Sequence, residues 1–126
     1  MTRGPYRILI VDDSAEDREI FRRLILRGIA GDHDYTVEEA EGGEAGLRKC
    51  RDEPPDCVLL DYSLPDLDGL EFLAALRREN GDAAVPIVFL TGHGNEEVAV
   101  RALKEGAYDY LVKSAVTAES LRRTLR

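Results

Sequence analysis

The sequence is short of basic charge, of cysteine and histidine, and of any long hydrophobic run, and each shortage removes a class of function. Seventeen Lys and Arg face twenty-five Asp and Glu, a net charge of −8. A nucleic-acid binder needs a basic face that displaces counterions from phosphates, so DNA or RNA contact by this chain is not expected. An anionic membrane surface is disfavoured on the same ground. The longest apolar runs, such as Cys57–Leu60 and Ile87–Leu90, are strand-sized, whereas a membrane helix needs ~20 apolar residues. Met1–Arg7 lacks the apolar middle of a signal peptide, so a cytoplasmic chain is expected. Cys50 and Cys57 form no C-x-x-C pair and fit no usual zinc spacing, which leaves two buried or half-buried free thiols. His33 and His93 lie too far apart to be a helical metal pair.

What is present is a chain of 126 residues, 44% hydrophobic. That suits one domain with a core of its own and is too apolar for a disordered acidic tail. Short apolar runs alternate with amphipathic stretches five times over. Arg7–Val11 (RILIV) is a β-branched run ending in Asp12-Asp13, and from Ser14 the spacing of Ile20, Phe21, Leu24 and Ile25 is helical. Ser14 with Asp17 reads as an N-cap and Gly28 as a stop. Asp34–Ala40 is a weaker strand, followed by a helix over Gly43–Glu53 that Pro54-Pro55 closes. Cys57–Leu60 is a third strand ending at Asp61, and a loop then leads to a helix over Gly69–Asn80. Asp66 and Asp68 in that loop are expected to hydrate it and to help start the helix after it. Pro86–Leu90 is a fourth strand before Thr91-Gly92-His93-Gly94, and Glu96–Glu105 a helix ended by Gly106. Asp109–Val112 is a fifth strand ending at Lys113, and Thr117 caps a last helix with Ala118, Leu121 and Leu125 inward. Nearly continuous apolar strands alternating with helices predict an α/β sandwich, a parallel sheet covered on both faces.

In open parallel sheets ligands bind beyond the carboxyl ends of the strands. Those ends carry Asp12-Asp13, Asp61, Thr91 and Lys113, while the second strand offers only Glu41. Three carboxylates in one pocket repel, and a hard divalent cation such as Mg²⁺ resolves the repulsion with oxygen ligands. Lys113 adds a second positive charge and Thr91 a hydroxyl donor, so a phosphoryl group held there would have its oxygens neutralised on every side. A carboxylate would be the nucleophile, giving an acyl phosphate. Each residue alone has a plainer reading: Asp12-Asp13 favour the positive end of a helix, Thr91 makes a turn, and Tyr110 fills core. Asp12, Asp13, Asp61 and Lys113 in register favour the chemistry.

Ile10-Val11-Asp12-Asp13, Leu60-Asp61-Tyr62-Ser63-Leu64-Pro65 with Gly69, Leu90-Thr91-Gly92 and Tyr110-Leu111-Val112-Lys113 resemble, in order and spacing, the response-regulator receiver domains of two-component signalling. The resemblance spans essentially the whole chain. It implies a flavodoxin-like fold with strand order 2-1-3-4-5, which makes Asp61 central, with acids on one flank and Thr91 and Lys113 on the other. It also implies that Asp61 accepts a phosphoryl group from the histidine of a sensor kinase or of a histidine phosphotransfer domain. Asp13 then ligates Mg²⁺ (or Mn²⁺) directly, Asp12 largely through water, and the Ser63 backbone carbonyl is a further contact. Thr91 and Tyr110 resemble the switch pair, Lys113 the amine that pairs with the phosphoryl oxygen, and Ser63 and His93 the positions that tune dephosphorylation. A kinase would meet the first helix, and the Glu96–Arg126 face would serve a homodimer. Residues 1–126 would form one receiver domain, and the amphipathic pattern running to the last residue suggests a piece of a longer protein.

The sequence departs from the family pattern at Ser114, where the family has proline in a cis peptide. A cis bond before a non-proline residue costs about 2.5–4 kcal/mol, so the family's loop geometry is not carried over there. A haloacid-dehalogenase-like phosphohydrolase also uses an aspartyl nucleophile and Mg²⁺, but it needs a second acid two residues on. Ser63 follows Asp61 at that spacing and Ser14 follows Asp12, so a switch is expected and not a turnover enzyme. An interaction module without phosphorylation would lack one of the acids or the lysine, and none is missing. A dinucleotide fold fails on the absence of a third glycine after Gly92 and Gly94.

Overall fold

The computed structural model describes residues 5–29, 34–80, 85–92 and 96–125. Five strands, β1 (Tyr6–Val11), β2 (Tyr35–Ala40), β3 (Cys57–Asp61), β4 (Ile87–Thr91) and β5 (Asp109–Val112), form one sheet. Every pairing is parallel and the order is β2-β1-β3-β4-β5, as the resemblance implied. The helices are α1 (Ala15–Arg23), α2 (Gly43–Asp52), α3 (Gly69–Asn80), α4 (Glu96–Lys104) and α5 (Ala118–Thr124).

Alternation along each strand divides the core into two layers. Leu9, Val11, Val58, Leu60, Ile87 and Phe89 pack with Leu47 of α2, Phe72 and Leu76 of α3, and Ala102 of α4. Ile8, Ile10, Leu59, Val88 and Leu90 point the other way, onto Phe21 of α1, Leu121 of α5 and Leu125 just after it. Register keeps the layers separate, since Val11 lies beside Leu60 and Leu60 beside Phe89. The central strands β3 and β4 are buried at every residue, which is why they read as unbroken apolar runs. Cys50 and Cys57 are free and buried, as expected. Burial, chiefly, pushes their thiols up to about 11 and about 12, so neither is a ready nucleophile.

Local signals set most boundaries. Ser14 Oγ accepts the N–H of Asp17 at 3.2 Å and starts α1, and Thr117 with Ser120 forms a reciprocal cap on α5. Gly106 follows α4 at a φ of 108°, a left-handed conformation that favours glycine. Gly28, however, stops nothing: beyond Arg23 the chain continues in wider π-helical turns over Leu24–Ile29. The glycine serves a close helix crossing instead. A Cβ there would stand 2.9 Å from the Cβ of Ala118, and Arg122 donates to the Gly28 carbonyl at 2.9 Å. The expected roles of the two loop acids also divide. Asp68 starts α3 by accepting from Glu71 N–H at 2.9 Å. Asp66 reaches back across the loop and caps α2, taking the N–H groups of Gly43 at 3.0 Å and Glu44 at 3.1 Å. A helix starting at Gly42-Gly43 has no side-chain cap of its own, and that vacancy is what Asp66 fills.

Candidate functional site

The carboxyl ends of β1, β3, β4 and β5 come together at one edge of the sheet. Asp12 is wholly buried and Asp61 nearly so, while Asp13 is exposed. One oxygen from each of Asp12, Asp13 and Asp61 lies within 4.8 Å of the others. Asp12 and Asp61 continue the alternation that faces α1 and α5, the face that Leu111, and after it Lys113, also share. Lys113 Nζ accordingly reaches 2.7 Å from Asp12 Oδ2 and 3.6 Å from Asp61 Oδ1. The long side chain spans the sheet from its edge, as the strand order requires.

Asp12 is fixed by both its ends. Its Oδ1 accepts from Ser14 N–H at 2.9 Å, and its main-chain carbonyl accepts from Arg18 Nη1 at 2.7 Å. Arg18 is itself buried and bonded to Glu39 of β2 at 2.9 Å, so β2 supports the end of β1 through this guanidinium. Among the described residues Asp12 Oδ2 has no hydrogen bond of ordinary geometry and meets Lys113 as an ion pair. A buried carboxylate oxygen with one contact retains room for a cation.

Burial raises the Asp61 carboxyl above its ordinary range, and the charge of Asp12 adds to this. Lys113 and the Ser63 N–H, which donates to Asp61 Oδ1 at 3.3 Å, oppose the rise. Burial works against the charge of Lys113. The close ion pair with Asp12, the hydrogen bond to Asp17 and the charge of Asp61 outweigh it and hold the ammonium above its usual range. Asp61 is thus raised first by burial and then by a neighbouring carboxylate, and Lys113 by the carboxylates around it. Among the described residues the donor set consists of carboxylate oxygens, which fits a hard divalent cation such as Mg²⁺.

Thr91 lies at the end of β4 and is buried, but its hydroxyl makes a long bond of 3.5 Å to the Leu111 carbonyl of β5. Tyr110 is half-buried against the layer that holds Phe89, its register partner on β4. Ser63 sits exposed in the loop after Asp61, and His93 lies outside the described residues. The Lys113–Ser114 bond is trans, and Lys113–Ala115 make a 3-10 turn. Two residues of the site carry no signal at the sequence level beyond helix-start chemistry. Asp17 reads as part of a cap, yet its Oδ2 stands 2.9 Å from Lys113 Nζ. Arg18 reads as one of several helix cations, yet it holds the Asp12 carbonyl. Only the tertiary placement of β5 and β2 beside α1 distinguishes either.

Fold and site together define a doubly wound α/β domain of the flavodoxin-like type, with an acidic pocket at the strand ends that could hold a cation. The model of the response regulator receiver domain matches residues 8–126. Curated relatives include the chemotaxis protein CheY of Listeria monocytogenes, 35% identical over 108 residues that make up 85% of each chain. The phosphate regulon transcriptional regulatory protein PhoB of Escherichia coli is 36% identical over 85% of this chain. This chain spans 44% of the length of PhoB. Among solved structures, the chemotaxis response regulator CheY4 of Vibrio cholerae superposes with a TM-score of 0.81 at 29% identity, covering 97% of both chains. The chain belongs to the response regulator receiver domains of two-component systems.

Proposed function

We propose that residues 1–126 act as one phosphoacceptor domain, with Asp61 as the acceptor. The observation that carries this reading is the convergence of three carboxylates within 4.8 Å of one another with one lysine at the strand ends. Asp12, Asp13, Asp61 and the Ser63 carbonyl are the groups that would hold Mg²⁺ or Mn²⁺. The ion would neutralise the acids and the equatorial phosphoryl oxygens, lowering the barrier to attack by an anion on an anion. An Asp61 carboxylate oxygen forms the new P–O bond in line with the P–N bond of a phosphohistidine. The imidazole nitrogen leaves with the electron pair of the broken bond. Lys113 then pairs with a phosphoryl oxygen, and the Thr91 hydroxyl gives up its long bond to Leu111 to donate to another. Tyr110, half-buried beside β4, follows Thr91 inward, and the surface near it changes its affinity for partners.

The donor in this reading is a sensor histidine kinase or histidine phosphotransfer domain of the cytoplasm. Ile20 is exposed on α1, where that donor would dock. Val100, Leu103 and Tyr108 are exposed within the Glu96–Arg126 face, where a second copy would pack. Ser63 and His93 would set how fast water removes the phosphoryl group. This is a switch that turns over slowly and not a hydrolase. Intact-mass measurement with Mg²⁺ and a small acyl phosphate tests it. One phosphoryl adduct is expected, absent from Asp61→Asn. No adduct on the unaltered protein, or the same adduct on the variant, overturns the assignment.

A further inference from the structure

Lys113 is held by a residue that the phosphoryl-accepting chemistry does not require. Its Nζ lies 2.7 Å from Asp12 Oδ2 and 2.9 Å from Asp17 Oδ2, and only 3.6 Å from Asp61 Oδ1. Of the last two only Asp17 lies within hydrogen-bonding distance, and the ammonium donates to it. It sits on the first turn of α1, its position fixed by the Ser14 cap on its own N–H. Asp17 is only partly exposed, with a third of its side chain accessible, so water screens the pair incompletely.

From this geometry we infer that Asp17 is a positioning residue for Lys113, a counter-ion that draws the ammonium towards α1 and away from Asp61 in the unphosphorylated protein. The inference rests on Asp61 being the phosphoacceptor. It has two consequences of opposite sign. Drawing Lys113 away from Asp61 limits its competition with a cation for that carboxylate, so Asp17 favours metal binding. A phosphoryl group on Asp61 must win Lys113 from Asp17 before the two can pair, so Asp17 disfavours the phosphorylated form. The residue thus sets how readily the pocket is loaded without touching phosphorus or metal. Glu16, exposed on the same turn, is the control for a charge acting through space alone.

The test compares the unaltered protein, Asp17→Asn and Glu16→Gln in two equilibrium titrations. One is Mg²⁺ by calorimetry; the other is fluoroberyllate, a phosphoryl mimic, at saturating Mg²⁺. Asn keeps the shape of Asp17, and its backbone N–H still meets Ser14, so α1 keeps its start. For Asp17→Asn, loss of one partly exposed ion pair predicts fluoroberyllate binding tighter by about fivefold. Mg²⁺ binding is expected to weaken by a similar factor, while Glu16→Gln changes each by less than about twofold. Equal shifts in Asp17→Asn and Glu16→Gln overturn the inference, because net charge would then account for them. So does fluoroberyllate binding that is unchanged or weaker in Asp17→Asn. If the unaltered protein binds no fluoroberyllate and gains no phosphoryl adduct, it is the phosphoacceptor assignment that fails.

Discussion

Replacing Asp61 by Asn should make the metal-free protein more stable, although it alters a buried residue at the centre of the fold. The ligand oxygens of Asp12, Asp13 and Asp61 lie within 4.8 Å of one another. At an effective dielectric constant of ~20, each pair at that distance repels by ~3.5 kcal/mol. Lys113 Nζ, 3.6 Å from Asp61 Oδ1, returns ~4.6 kcal/mol on the same scale. Asp13 is exposed, so solvent and salt reduce its share to roughly half. Lost hydration of the buried carboxylate adds to the unfavourable side. The balance is unfavourable by ~1–2 kcal/mol, which Asp61→Asn relieves while keeping the side chain's shape. Thermal unfolding in chelator should therefore show a midpoint higher by ~3–8 °C for a domain of this size. Mg²⁺ at a hundredfold excess over its dissociation constant should then stabilise the unaltered protein by ~2.7 kcal/mol. In the proposed metal site Asp61→Asn has one carboxylate ligand fewer, so its gain should be smaller, by ~1.3 kcal/mol for a tenfold loss of affinity. A variant that melts at or below the unaltered protein in chelator, or that Mg²⁺ shifts by the same amount, would refute the electrostatic account.

Two further outcomes test the scaffold around the site. Gly69 begins α3 where an added Cβ would lie 2.2 Å from Phe89 Cε1; Gly69→Ala should cost ~1–3 kcal/mol in urea unfolding, and an unchanged midpoint would show that Phe89 yields freely. The N–H groups of Glu44 and Gly43 hold the Asp66 carboxyl below its ordinary range, so its contribution is present above the unfolded carboxylate pKa and is lost as pH falls through the lower folded value. Asp66→Ala should cost ~0.5–1 kcal/mol at pH 6, reduced because the cap is exposed, with the difference from the unaltered protein closing below about pH 4. A deficit that persists unchanged at low pH would mean that the charge of Asp66 contributes nothing to capping α2.

Much of the chain's architecture follows from local chemistry, and so is legible in the residues. Runs such as Cys57–Leu60 read as strands buried on both faces, because they are too short for a helix and follow the helix-breaking Pro54-Pro55. Ser14, Gly106 and Thr117 mark element ends because caps and turns are decided within a few residues. The same holds for the acids and the lysine at strand ends, since a strand's last residue is a matter of sequence. Contacts between elements are not coded this way. Gly28 reads as a helix stop until Ala118 of α5 is seen lying against it. Asp66 belongs to α2 and not to the helix after it, because the sheet brings the loop after β3 over the start of α2.

Sequence by itself determined the α/β class, the five strands and the identity of the residues placed at their carboxyl ends, because periodicity and capping are short-range. Only the tertiary structure decided how those residues share charge. Parallel pairing and the parity of the strands turn Asp12 and Asp61 to the face that Lys113 crosses, and α1, packed on that face, adds Asp17 to the lysine's partners. Coulomb energy depends on distances between side chains as far apart in sequence as Asp12 and Lys113, and no local pattern specifies such a distance.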